Sequence, residues 1–76
     1  MIVEIEDFKT GWHGISMGFK PKEIDYLIKT LKSLKKGNFD HFHMSNLSGS
    51  DDKGIADIEI FMMKKDEADN MLINGM

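Results

Sequence analysis

Two of the three histidines of this 76-residue chain stand one residue apart, in Asp40-His41-Phe42-His43-Met44-Ser45-Asn46. Alternation along such a segment sends Phe42 and Met44 to one face of a strand and His41 and His43 to the other, about 6.5 to 7 Å apart. Downstream, Asp57 and Glu59 alternate in the same way with Ile58 and Ile60. If the two segments pair, two imidazoles meet two carboxylates, and these are ligand types that zinc accepts. His41, His43, Asp57 and Glu59 are therefore the candidate metal ligands. The competing reading, surface histidines opposite carboxylates in a favourable cross-strand pairing, needs no metal and is preferred, because His-x-His alone is a common pattern. No cofactor is expected.

A second chemical pattern is Gly14-Ile15-Ser16-Met17-Gly18, with Asp40 and His43 following in the order of a hydrolase triad. A nucleophile elbow requires a sharp strand-to-helix turn at the serine, whereas Ser16 falls in the middle of an alternating apolar segment and a helix begins only near Pro21. The pattern is rejected and no catalytic residue is assigned; the chain reads as a non-enzyme. Gly14, Ser16 and Gly18 instead form a shallow trough of small side chains that a backbone or an aromatic ring can approach closely.

The elements that would position these residues follow from periodicity. Ile2 to Phe8 and Trp12 to Phe19 alternate as strands, joined through Lys9-Thr10-Gly11 as a hairpin. Pro21 suits the first position of a helix, and Ile24, Leu27, Ile28, Leu31 and Leu34 recur at helical spacing. Glu23 and Asp25 lie in its first turns, Lys35 and Lys36 in its last, and Gly37 provides the stop. Strands then run roughly from Phe39 to Asn46 and from Ile55 to Met63, connected by the polar loop Ser48 to Gly54. That loop lacks the spaced ligands of a calcium site and reads as a solvated turn. Ala68, Met71 and Leu72 offer one face for a short C-terminal helix started at Asp66. The sequence thus predicts a single α+β domain over 1-76, ββαββ, with a four-stranded antiparallel sheet and one helix on one face.

A helix of this size covers one face of the sheet and leaves the other open. On the alternation above, the open face carries Glu4, Glu6, Trp12, Gly14, Ser16, Gly18, His41, His43, Ser45, Asp57, Glu59 and Phe61. It is acidic and aromatic. Charge is unevenly distributed: Lys20 to Lys36 holds six lysines against Glu23 and Asp25, a segment charge of +4, so the remainder carries −7 of a net −3. All ten basic residues are lysine, and the absence of arginine with an acidic balance argues against nucleic-acid binding. The start, Met1 to Glu6, has neither a basic n-region nor an apolar run long enough for a signal or a membrane span, and the chain has no cysteine. A soluble cytoplasmic protein with no membrane partner is expected.

Leu27-Ile28-Lys29-Thr30-Leu31-Lys32-Ser33-Leu34-Lys35-Lys36-Gly37, then His41-Phe42-His43-Met44-Ser45 and an acidic apolar strand, resembles the small α+β immunity proteins of bacterial polymorphic toxin systems. The resemblance covers about Pro21 to Met63. It implies a non-enzymatic protein that protects its producer by occluding a cognate toxin, with His41, His43 and the strand around Glu59 as family features. The open acidic face and the resemblance converge on a basic protein partner, contacted by Glu4, Glu6, Trp12, His41, His43, Glu59 and Phe61. Two other classes remain open: a homodimer formed through open faces or edge strands, and a metal-binding protein or metal-dependent enzyme centred on His41 and His43.

Overall fold

A computed structural model describes residues 1–46 and 54–75. Its elements follow the order β1 (Ile2–Asp7), β2 (His13–Gly18), α1 (Pro21–Lys36), β3 (His41–Ser45) and β4 (Asp57–Phe61). The chain is a small α+β protein whose order matches the expected ββαββ, with each strand trimmed by one or two residues at its ends.

A single four-stranded sheet is not shown among the described residues. β1 pairs with β2 and β3 with β4, both antiparallel, giving two two-stranded sheets. The first hairpin turns where the sequence places its glycine: Gly11 has φ 92° and Lys9 φ 59°, both left-handed. Asp7 stabilises the bend by accepting a 2.8 Å hydrogen bond from the Lys9 backbone N–H, and the Phe8 N–H closes the turn onto the Trp12 carbonyl at 3.1 Å. Within the connection between β3 and β4, residues 47–53, including the Asp51-Asp52 pair, lie outside the described residues.

The helix is built as its sequence dictates. Pro21 occupies the first turn, where its missing N–H leaves no bond unmade. Lys20 has no side-chain acceptor, so the N-terminus is tied by Glu23 instead, whose Oε1 accepts the Lys20 backbone N–H at 2.8 Å. The other Glu23 oxygen meets the Met1 ammonium at 2.7 Å, joining the start of β1 to the start of α1. At the far end Gly37 takes φ 82°, ψ 18°, and the N–H groups of Gly37 and Asn38 close onto the carbonyls of Leu34 and Ser33. That left-handed stop is what a glycine at this position permits and a side chain resists.

Packing is thin. Among the described residues only Leu34 is buried, at 5% exposure. Phe42, Met44, Ile58 and Ile60 face inward on the second hairpin and are half-buried. Phe39 and Phe42 meet edge to face with centroids 6.4 Å apart. Between α1 and this hairpin lies a cavity of about 650 Å³, lined by Val3, Phe19, Leu27, Phe42, Met44 and Ile58 among others. The apolar face of the first hairpin is left open: Ile5, Ile15 and Met17 are all exposed, as are Ile24, Ile28 and Leu31 on the helix.

The expected C-terminal helix does not form. Lys64 to Glu67 makes one turn, in which the Glu67 N–H reaches the Lys64 carbonyl at 3.1 Å and Glu67 Oε1 accepts the Lys64 N–H at 2.8 Å. Beyond it the described chain is irregular, and Met71, Leu72 and Ile73 are among its most exposed residues. A single turn has not repaid the cost of helix nucleation, and without a surface to receive Met71 and Leu72 nothing extends it.

Candidate functional site

β3 and β4 bring the sequence-predicted chemistry together. Their register sets His41 opposite Phe61, His43 opposite Glu59 and Ser45 opposite Asp57, while Phe42 faces Ile60 and Met44 faces Ile58. The alternation of apolar and polar residues therefore does two jobs at once. The inward set turns toward the helix, and the outward set forms one polar face. The ladder continues past the strand ends through the Asn46 N–H to the Ala56 carbonyl and the Met62 N–H to the Asp40 carbonyl, which fixes the register at both ends.

On that face the two imidazoles lie edge to face, centroids 5.2 Å apart and planes at 89°. Each is held by a carboxylate through Nδ1. His43 Nδ1 is 2.8 Å from Asp57 Oδ2, and the other Asp57 oxygen accepts the Ser45 hydroxyl at 2.9 Å. His41 Nδ1 is bonded to Asp40 Oδ1. Glu59 completes the group: one ligand atom from each of His41, His43 and Glu59 lies within 4.8 Å of the others, and all three residues are exposed.

Hydrogen bonding shifts the titration of three of these groups. The Asp40 carboxylate beside His41 raises the imidazole's pKa above its ordinary value, with Glu59 adding to the effect and partial desolvation opposing it. Reciprocally, the bond from His41 holds Asp40 below the usual carboxylate range. Asp57 is lowered as well, first by the bond from His43 and then by that from Ser45. A carboxylate that accepts from Nδ1 favours, in the neutral ring, the tautomer with its proton there and its lone pair on Nε2.

The structure sorts the four candidate ligands into two roles. His41, His43 and Glu59 converge, whereas Asp57 sits behind His43 as its hydrogen-bond partner. Asp40, which the sequence offered only as the acid of a rejected triad, takes the same place behind His41. Its signal was adjacency: an acid immediately before a strand-opening histidine can fold back onto it.

The remaining candidate contact residues are dispersed. Glu4 and Glu6 lie on the first hairpin, opposite Ser16 and Gly14, and so on a different sheet from His41, His43, Glu59 and Phe61. Trp12 is 77% exposed at the first turn and does not cap a core edge, and Phe61 is 56% exposed. Ser16 is mid-strand in β2, so no nucleophile elbow exists. The glycine trough is half filled from within the chain. A Cβ on Gly14 would fall 2.8 Å from the Phe8 ring, so that ring already occupies the place of a side chain, while Gly18 is open.

Among the described residues no helix is long and apolar enough to cross a membrane. No family model, no curated protein and no solved structure matches this chain.

Proposed function

We propose that this chain is a non-enzymatic protein-binding module, an immunity-type inhibitor whose fold is completed by a basic protein partner. The observation that carries the reading is the burial pattern: among the described residues Leu34 alone is buried, while Ile5, Ile15, Met17, Ile24, Ile28 and Leu31 are exposed. Apolar residues repeated along one face of a hairpin and one stripe of a helix mark a surface meant to be covered. The acidic residues follow the same elements. Glu4, Glu6 and Asp7 rim the first hairpin, and Asp57 and Glu59 line the outer face of the second. Acidic residues on the same two hairpins as the exposed apolar residues favour a partner carrying lysine and arginine, steering its approach and discriminating among alternatives. The likeness to immunity proteins over Pro21 to Met63 points the same way.

Contact is assigned to Glu4, Glu6, Trp12 and Ile15 on the first hairpin and to His41, His43, Glu59 and Phe61 on the second. Cross-linking in cells followed by mass spectrometry would identify the partner, and titration calorimetry at two salt concentrations would then measure its affinity. Ile15→Lys is expected to weaken binding about tenfold or more, and Glu4→Lys to lower affinity and flatten its salt dependence. A partner that binds both variants as tightly as the parent chain overturns the reading.

The homodimer remains the second reading, favoured by one observation: among the described residues neither two-stranded sheet gains a third strand, so each keeps two edges available for pairing. Sedimentation separates the two. A tight dimer at nanomolar concentration supports self-association, and a monomer across the range removes it.

A further inference from the structure

The three convergent side chains on the outer face of β3 and β4, assigned above to partner contact, also carry the chemistry of ligands. Register alone places the His43 and Glu59 backbones directly opposite each other, and His41 projects from the same face two residues away. Their ligand atoms lie within 4.8 Å of one another. Ligands around a tetrahedral ion with bonds of about 2.0 to 2.1 Å stand roughly 3.3 to 3.5 Å apart, so a small rotation of exposed side chains closes the gap.

The second, independent observation lies behind the ligands. An imidazole that binds a metal donates its other ring N–H to a carboxylate, a carbonyl or a water, which fixes the ring and makes it a better base. Both rings here have that support from separate residues, His41 from Asp40 and His43 from Asp57, and Asp57 is itself oriented by the Ser45 hydroxyl at 2.9 Å. Incidental surface histidines do not require a carboxylate behind each ring. His13 provides the internal contrast: its Nε2 is 3.8 Å from Asp7 Oδ1, beyond hydrogen-bonding distance, and it belongs to no such cluster among the described residues.

We propose that His41, His43 and Glu59 form a binding site for a divalent transition-metal ion of the zinc class, with Asp40 and Asp57 as its supporting shell. Two imidazoles and one carboxylate suit zinc and its borderline neighbours and do not suit calcium or magnesium, which take all-oxygen sets. Three ligands on an open face leave a fourth position for water or for a group brought by another molecule. Because the ligands come from both strands, the ion bridges β3 to β4.

The test uses the full chain without an affinity tag, titrated with zinc in a calorimeter and with cobalt(II) by visible absorption. One ion per chain is expected, with the intense visible bands of a tetrahedral cobalt site. His41→Gln and His43→Gln should each abolish the stoichiometric event and the bands. Asp57→Asn should keep the stoichiometry and lower affinity about 10- to 100-fold, the range found for lost outer-shell partners. His13→Gln serves as control and should bind like the parent. Circular dichroism of every variant before titration verifies that the fold is retained, which the exposure of the substituted side chains favours. Zinc binding that is absent from the parent chain, or equal in the parent and both histidine variants, or lost equally with His13→Gln, overturns the site.

Discussion

Glu23 illustrates how much a single residue can organise in a chain with little core. One oxygen ties the helix N-terminus at Lys20 and the other holds the Met1 ammonium, and these contacts lower its pKa, the bond from the ammonium contributing most. A group whose pKa is depressed in the folded state contributes stability above its unfolded pKa and loses it as pH falls through the folded value. Glu23→Gln is therefore expected to melt at a lower temperature than the parent at neutral pH, and the two curves should converge as the pH drops below the ordinary carboxylate range. Thermal melts followed by circular dichroism at pH 7 and pH 3 check this. Gly37 makes a comparable argument from the backbone. At φ 82° an alanine pays for the left-handed conformation, so Gly37→Ala should cost about 1 kcal/mol, whereas Gly18→Ala meets open space and needs no such conformation.

At the level of elements, the helix and both hairpins were legible because their signals are local. Pro21, the leucine spacing, the terminal lysines and Gly37 delimit α1 within the chain itself, and the faces of β3 and β4 follow from alternation in two short segments. What was not legible was how the hairpins sit relative to each other. A four-stranded sheet is a statement about pairing between distant segments, and no turn or periodicity in the sequence encodes it. The division of Asp57 from Glu59 was hidden for a related reason: both alternate correctly, and only cross-strand geometry decides which meets a histidine Nδ1. Element-level packing gives a paired prediction. Leu34→Ala removes the one buried side chain among the described residues and should cost about 2 kcal/mol or more, while Ile15→Ala, at 62% exposure, should change the stability of the isolated chain by less than about 0.5 kcal/mol. Denaturant unfolding of the two variants measures the contrast, and comparable losses would place Ile15 in a core.

The whole molecule is larger than its length requires. Its radius of gyration is 14.6 Å, against about 11 Å expected for a compact chain of this length. Its accessible surface is 7550 Å², against roughly 4,700 Å² for a folded monomer of its mass. The excess exceeds the share that one partner contributes to a standard interface, about 800 Å². A chain that buries so little should unfold with a small heat-capacity increment. Calorimetry of the isolated protein is expected to give a value well below the roughly 1 kcal/mol/K typical of a compact 76-residue domain.

The two-strand sheets have one more consequence. Each hairpin presents a row of main-chain donors and acceptors along both of its flanks, and a segment laid there would be read by its backbone before its side chains. Recognition of that kind tolerates substitution in the incoming segment at every second position, because only alternate side chains point toward the host. Under the proposed binding role, the hydrogen-bonded rail would stay constant while flanking residues such as Glu4, Trp12 and Phe61 would carry the discrimination.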